Sequence, residues 1–318
     1  MNPVILSLLD LAESESAQTI HASSHWQRYG REIVTERHDE ELLLQASGFT
    51  AQSRARFHEK FLYGIERLSY ANVTSRLASY PSAWRTAKQL AGELGTDLTG
   101  HERTSATAFA VLADHFSQCR IAPTTFAVIG DGDGFFGAML LRCLSDKRIK
   151  LYAIDLPKML VFQARLHQAA HPGISMSLLS PDDDGGQADV TFVHPKDIEL
   201  IPGTIDCAIN IVSMQEMNAF SIAAYFAFLR RRSGPGSRFY CVNRWQKKLP
   251  AGEVATFTEY PWQADDEVFI DEPCPYLRYF LDWNLQPRGP TLLGCRVPFV
   301  NFYDGLLWHR LARLASMA

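Results

Sequence analysis

Between residues 124 and 244 the sequence alternates short apolar runs with longer amphipathic stretches, and this rhythm limits the folds open to the chain more than any other feature. The runs are "TTFAVIG", "KLYAID", "DVTFVH", "IDCAINIV" and "SRFYCVN". Between them lie "FFGAMLLRCLSD", "PKMLVFQARLHQAA" and "EMNAFSIAAYFAFLRRR", which carry helical periodicity. Runs that are apolar throughout suit strands buried on both faces. Strands of that kind separated by helices predict an α/β fold: a Rossmann-like, doubly wound, mostly parallel sheet.

Upstream the texture differs. Residues 1–120 read as an α-helical region, with no strand alternation of any length. "SRARFHEKFLYGIERLSY" spaces Phe57, Phe61, Ile65 and Leu68 three and four apart, with Ser53 as N-cap. "SATAFAVLADHF" repeats the pattern through Phe109, Leu112 and Phe116. "YPSAW" predicts a turn with a helix starting after Pro81. The chain thus divides into residues 1–120, a helical lid or acceptor-binding region, and residues 121–318, a cofactor-binding domain. Beyond residue 244, "EVATFTEYPW" and "PTLLGCRVPFVNFY" read as strands or an antiparallel hairpin, and "GLLWHRLARLASM" as an amphipathic closing helix.

Several functions are disfavoured. The formal charge of −4 supplies no basic field for nucleic acid. "RRR" at Arg230–Arg232 is read as the cationic end of a helix. The N-terminal apolar run is too short to cross a bilayer and follows no basic cluster, so a cytoplasmic protein without membrane attachment is expected, its first residues a helix packed on the body. The six cysteines include no CxxC pair and read as free thiols, and no histidine spacing suggests a metal site. The acidic turn "SPDDDGGQAD" reads as solvated, with metal binding the lesser alternative. The oligomeric state is left open, a homodimer included.

The first run ends in "AVIGDGDGFFG". Gly130, Gly132 and Gly134 form GxGxG, while Gly132, Gly134 and Gly137 satisfy GxGxxG. Glycines suit a tight turn with positive φ and close ligand approach, and a purely structural turn is the alternative. The second run ends at Asp155, 23 positions beyond Gly132, where a carboxylate accepts hydrogen bonds from ribose hydroxyls or else caps the helix after Pro157. Charge bears on the ligand. A dinucleotide sets its pyrophosphate at the helix N-terminus. Asp131 and Asp133 repel it there unless both turn to solvent. S-adenosylmethionine (SAM) has no phosphate and carries two cationic groups.

Taken together, "AVIGDGDGFFG", "YAIDLP", "DCAINIVSMQEM" and "FYCVN" resemble the bacterial sugar O-methyltransferases, a branch of the Rossmann-like, SAM-dependent methyltransferases, over about residues 120–245. "SHW" at Ser24–Trp26 is similar to a short motif near the start of such proteins. The resemblance implies that Gly130, Gly132 and Gly134 surround the methionine part of SAM, that Asp155 binds the ribose, and that Leu156 lies near the adenine. It also implies an acidic residue two positions before the first glycine, where this chain has Val128. Asp131 or Asp133 is the expected substitute anchor for the SAM amino group.

Methyl transfer from a sulfonium is an in-line displacement, so alignment is the main task. At the end of the fourth run Asn210, Ser213, Gln215 and Glu216 face the expected crevice. Asn210 and Ser213 are assigned to the cofactor, and Glu216 as base or acceptor-orienting group; the alternative is a carboxylate in a first helical turn. His194 is a second catalytic candidate, with adenine packing and a solvated loop histidine as alternatives. Arg244 pairs with an acidic acceptor or sits on the surface. Trp26, Phe57 and Tyr63 are expected in the core more than in a pocket wall. The function expected is methyl transfer to a small-molecule acceptor, a sugar-like hydroxyl first. An NAD(P)-dependent oxidoreductase and a non-catalytic protein of the same fold are the alternatives.

Overall fold

The computed structural model describes residues 2–15, 23–29, 33–38, 41–46, 70–96, 98, 100–277, 279–281, 291–297, 300–302 and 306–316. The expected helix carrying Ser53, Phe57, Phe61, Ile65 and Leu68, and Tyr63 with it, lies outside the described residues. The N-terminal part contains α1 (Pro3–Glu15), α2 (Ser24–Tyr29), β1 (Ile33–His38), β2 (Glu41–Ala46), α3 (Tyr80–Glu93) and α4 (Gly100–Cys119). The alternating part follows with β3 (Thr125–Ile129), α5 (Phe135–Cys143), β4 (Lys150–Ile154), α6 (Pro157–Ala170), β5 (Met176–Leu178), β6 (Val190–Val193), β7 (Cys207–Ile211), α7 (Ala219–Arg232) and β8 (Arg238–Arg244). Beyond it come β9 (Gln246–Lys248), β10 (Val254–Thr256), β11 (Glu267–Pro273) and β12 (Tyr279–Leu281). The last strands are β13 (Thr291–Leu292), β14 (Cys295–Arg296), β15 (Val300–Phe302) and β16 (Leu307–Arg313).

The main sheet has eight strands in the order β11-β16-β8-β7-β3-β4-β6-β5. All neighbours from β8 to β5 pair in parallel, whereas β16 runs antiparallel to both β8 and β11. From β3 the chain winds outward to β4 and then returns to β7 on the other side. The crevice between β3 and β7 is thus the switch point, where a sheet of this kind opens for a ligand. This is the expected Rossmann-like α/β architecture, and the five apolar runs became β3, β4, β6, β7 and β8.

Both faces of the sheet are covered. On one, Phe126, Val128, Ile209 and Tyr240 pack with Leu90, Ala108, Phe135 and Leu160 of the helices; on the other, Ala127, Ile154 and Phe239 pack with Phe226 and Leu229 of α7. Ile5, Leu8 and Leu9 form one buried stripe of α1, at helical spacing, and join the first of these clusters. The helices before residue 120 and the sheet after it therefore share one core. Arg230, Arg231 and Arg232 occupy the last turn of α7, as expected. Arg230 is also buried in a two-pronged pair with Asp266.

Three expectations need correction. The region before residue 120 is not free of strands, because β1 and β2 form an antiparallel hairpin. Its β-branched start "IVT" favours extended backbone, and Ile33 and Leu44 pack on Met159 and Phe162 of α6. The closing segment is strand β16, not a helix. Leu307, His309 and Leu311 alternate into the core, and the polar His309 is accommodated by the Tyr240 hydroxyl 3.0 Å from its Nδ1. "EVATFTEYPW" yields only the three residues of β10 before a 3₁₀ turn at Phe257–Glu259. The expected hairpin in "PTLLGCRVPFVNFY" is the pair β13–β14. The sequence reading missed β5, β9, β11 and β12.

All six cysteines are free thiols. Among the described residues no helix is long and apolar enough to cross a membrane, and no cluster of three metal-ligating side chains occurs. The acidic turn is organised from within. Lys150 Nζ donates to the carbonyls of Gly185 and Ala188 and to Thr191 Oγ1, filling the centre of the loop with a fixed cation.

Candidate active site

The glycine loop sits at the carboxyl end of β3 because its backbone leaves the ordinary L-residue region three times, at Gly130 (φ 72°), Gly132 (φ 63°) and Gly134 (φ 94°). At Gly130 space is also restrictive: a Cβ there would lie 1.9 Å from Ser213 Oγ. Gly134 begins α5, and its Cβ would fall 3.0 Å from the Gln163 backbone of α6. The loop is therefore wedged between the end of β7 and α6.

Both loop aspartates turn inward. Asp133 Oδ1 accepts from Phe135 N–H at 3.1 Å, and Asp131 Oδ2 from Gly137 N–H at 2.7 Å. These are backbone donors of the first turn of α5, the groups a helix N-terminus offers to an anion. His101 Nε2 of α4 approaches Asp133 Oδ1 at 3.4 Å. Burial pushes Asp131 up to about 8, against the lowering pull of the Gly137 N–H. Val128 points into the apolar core.

Asp155 follows β4. Its Oδ1 accepts from Leu156 N–H at 2.8 Å and its Oδ2 from Gln163 Nε2, also at 2.8 Å. The N-cap of α6 is Leu156, so Asp155 does not cap that helix. Burial raises its carboxyl to about 7 despite these donors.

At the end of β7 the backbone is strained. Val212, a β-branched residue, has φ 62°, a conformation that costs about 1–3 kcal/mol and persists only where its surroundings enforce it. The enforcement is a ladder of buried amides. Asn210 Nδ2 donates to Ile129 O, and Asn210 Oδ1 accepts from Asn243 Nδ2 and Met214 N. Asn243 Oδ1 in turn accepts from Gln215 N, and Gln215 Oε1 from Arg244 N. The ladder ties the ends of β3, β7 and β8 together and presses Ser213 against Gly130.

Glu216 ends a 3₁₀ turn after the strained residue. Its Oε1 pairs with Lys247 Nζ at 2.7 Å and its Oε2 with His25 Nε2 at 3.2 Å. Burial alone would raise this carboxyl, but His25 and Lys247 more than offset it and hold it below the ordinary glutamate value. His194 is fully buried. Its Nδ1 accepts from Lys196 N–H at 3.1 Å and caps the 3₁₀ turn Pro195–Leu200.

A cavity of about 250 Å³ opens among these loops. Gly130, Asp155, Leu156 and Ser213 line it, as do Pro195 and Lys196 beside the capped His194 turn and Phe220 and Tyr225 of α7. Gly132, Gly134, Asp131, Asn210, His194 and Glu216 are not among its lining residues. They shape it from behind through the contacts above. Ser23 and Trp26 close the cavity from the N-terminal side, so Trp26 is a pocket wall, contrary to expectation. Sequence reasoning also missed Lys196, Phe220 and Tyr225. The one sequence signal for the N-terminal wall was "SHW", which stood far from every other motif.

No protein-family model matches the sequence, and no curated protein matches it. Solved structures do match at low identity. One is a TehB-like SAM-dependent methyltransferase from Corynebacterium glutamicum (12% identity, 76% of this chain and 98% of that one, TM-score 0.38). Another is the magnesium protoporphyrin IX methyltransferase ChlM from Synechocystis PCC 6803 with bound SAH (12%, 78% and 100%, TM-score 0.39). A third is TrmN from Thermus thermophilus (11%, 66% and 48%, TM-score 0.40). At such identities the chemistry rests on this chain's own residues.

Proposed function

We propose that the protein is a SAM-dependent methyltransferase that methylates a hydroxyl of a small polar, sugar-like acceptor. One observation carries the choice of cofactor: Asp131 and Asp133 fill the N-terminus of α5 with the protein's own carboxylates. A pyrophosphate would have to displace both side chains from the Phe135 and Gly137 donors. An adenosyl ligand without phosphate makes no such demand. The sheet adds support, since the antiparallel β16 stands where a dinucleotide fold continues its parallel second half.

The residues present fit an adenosyl group. Asp155 is exposed to the cavity with a carboxylate whose two oxygens each keep acceptor capacity for a ribose hydroxyl. Leu156, Ile198 and Tyr225 offer an apolar wall for a base. When bound, SAM supplies a methyl carbon already activated by its sulfonium. The chain's part is then placement: the amide ladder fixes Ser213 and the strained turn, and the lid excludes water. Glu216 does not line the cavity and serves by holding the Ser23–His25 segment in place; its lowered pKa makes it a weak proton acceptor. His194 acts by positioning Lys196. The acceptor class follows from the resemblance carried by "IDLP" and "SMQEM".

Mass spectrometry of a metabolite extract incubated with the protein and methyl-labelled SAM tests the proposal. Label in a hydroxyl-bearing small molecule is expected. Tight binding of S-adenosylhomocysteine (SAH) with no label transferred to any compound would support the non-catalytic reading instead.

A further inference from the structure

The segment Ser23–Trp26 reaches the cavity from far away in sequence, and its attachments are specific. Ser23 Oγ donates to the carbonyl of Glu216. Ser24 Oγ donates to Glu253 Oε2 at 2.9 Å and accepts from Ala251 N–H. His25 is buried with Nε2 against Glu216 Oε2. Trp26 packs edge-on to His25 and rests on the Met159–Phe162 cluster of α6, the helix that follows Asp155 and Leu156. Downstream, Lys158 Nζ of α6 donates to Ile33 O at 3.0 Å, which tacks the start of the β1–β2 hairpin to the same helix.

Two chemical features stand out. First, every polar attachment of Ser23, Ser24 and His25 named above goes to residues 216 and 251–253, on the loops beside the cavity. Second, the segment contributes surface to the cavity itself through Ser23 and Trp26. A short helix of six residues has little stability of its own, so these contacts decide whether it stays down. Glu216 is the hub: backbone carbonyl to Ser23, one carboxylate oxygen to His25, the other to Lys247 of β9.

We propose that Ser23–Trp26 is the fourth wall of the adenosyl-ligand site, that Glu216 is its latch, and that ligand entry requires this wall to lift while a bound ligand holds it down. The inference rests on the reading that the cavity takes an adenosyl compound. Trp26 is then a ligand-contacting residue, and Glu216 a positioning residue that acts through His25. Binding and closure are linked: a ligand that touches the closed wall favours the closed state by its extra contact with it.

SAH titration of the full chain tests this, with hydrogen–deuterium exchange followed at residues 24–29. Saturating SAH slows exchange there by about tenfold or more in the wild type, because opening now requires ligand release. Trp26→Ala weakens SAH binding about tenfold, and Trp26→Phe restores most of it. Glu216→Gln speeds exchange at 24–29 in the ligand-free protein and raises both the association and dissociation rates of SAH. If SAH binds the wild type but exchange at 24–29 is unchanged, and Trp26→Ala binds SAH with wild-type affinity, the wall proposal is overturned while the cofactor reading stands. If SAH does not bind the wild type at all, the cofactor reading fails and the wall proposal with it.

Discussion

Asp155 and Glu216 are two buried carboxylates beside one cavity, yet they are held in opposite states. Asp155 is surrounded by neutral donors, Leu156 N–H and Gln163 Nε2, and burial lifts its pKa to about 7. Glu216 is buried against His25 and the Lys247 ammonium, and these two partners pull it below the ordinary value. Burial alone makes a carboxyl hold its proton; opposite charge makes it release one. Near neutral pH the first is poised to ionise when donors arrive, and the second is already paired with Lys247. The contrast fits the roles proposed for them, ligand recognition for Asp155 and latching for Glu216.

The largest expected effect separates the two by substitution. Asp155→Ala removes both ribose acceptors and weakens SAH binding about 100-fold, as charged hydrogen bonds worth about 1.5–3 kcal/mol each imply. Glu216→Gln, which disturbs only the wall, weakens it about fivefold. Calorimetry on both variants reads the contrast, and equal losses would erase it.

The next effect is in pH. In the proposed site the ribose hydroxyls donate to the ionised form of Asp155, so SAH binding must drive off its proton wherever the free protein still holds one. Affinity therefore falls as pH drops below about 7, approaching tenfold per pH unit, and levels off above it. Asp155→Asn lacks this limb. The measurement is SAH affinity from pH 5.5 to 8.5.

A smaller effect concerns the ligand-free fold. Asp155 and Asp131 have folded pKa values raised from 3.8 to about 7 and about 8. Well below pH 3.8 both are protonated, folded or unfolded, and contribute no slope. From about pH 4 up to about 7 for Asp155 and about 8 for Asp131 the folded state keeps protons that the unfolded chain has lost, so stability declines as pH rises, by up to about 1.4 kcal/mol per pH unit for each group. Urea denaturation of the ligand-free protein across this range reads the slope, and Asp155→Asn flattens it. Glu216 contributes with the opposite sign, gaining stability above the unfolded glutamate pKa. Glu216→Gln therefore makes the decline steeper at the acid end.

Much of this was legible beforehand. The apolar runs that became β3, β4, β6, β7 and β8 could be read because strands buried on both faces leave an unbroken hydrophobic signature. The closing strand could not. Leu307, Leu311 and Leu314 sit at helical spacing, and the alternation that places Leu307, His309 and Leu311 on one face is masked by a histidine whose core position depends on Tyr240, far away in sequence. The charges of Asp131 and Asp133 were visible, but not their direction; only the turn of Gly134 into α5 aims them at the helix N-terminus. Asp155 was singled out by spacing, since strand, loop and helix lengths fix its place, and it lines the cavity. The meeting of Ser23–Trp26 with Glu216 at the cavity escaped because it joins residues about 190 positions apart, and no local pattern encodes such a meeting.

Helix α5 begins on the protein's own carboxylates, and the proposed site therefore receives an adenosyl ligand without phosphate. Parallel calorimetric titrations with SAH and NADH at pH 8, where Asp155 is ionised, test it most directly. Saturable binding of SAH with no binding of NADH is the predicted result; saturable binding of NADH without SAH would contradict it.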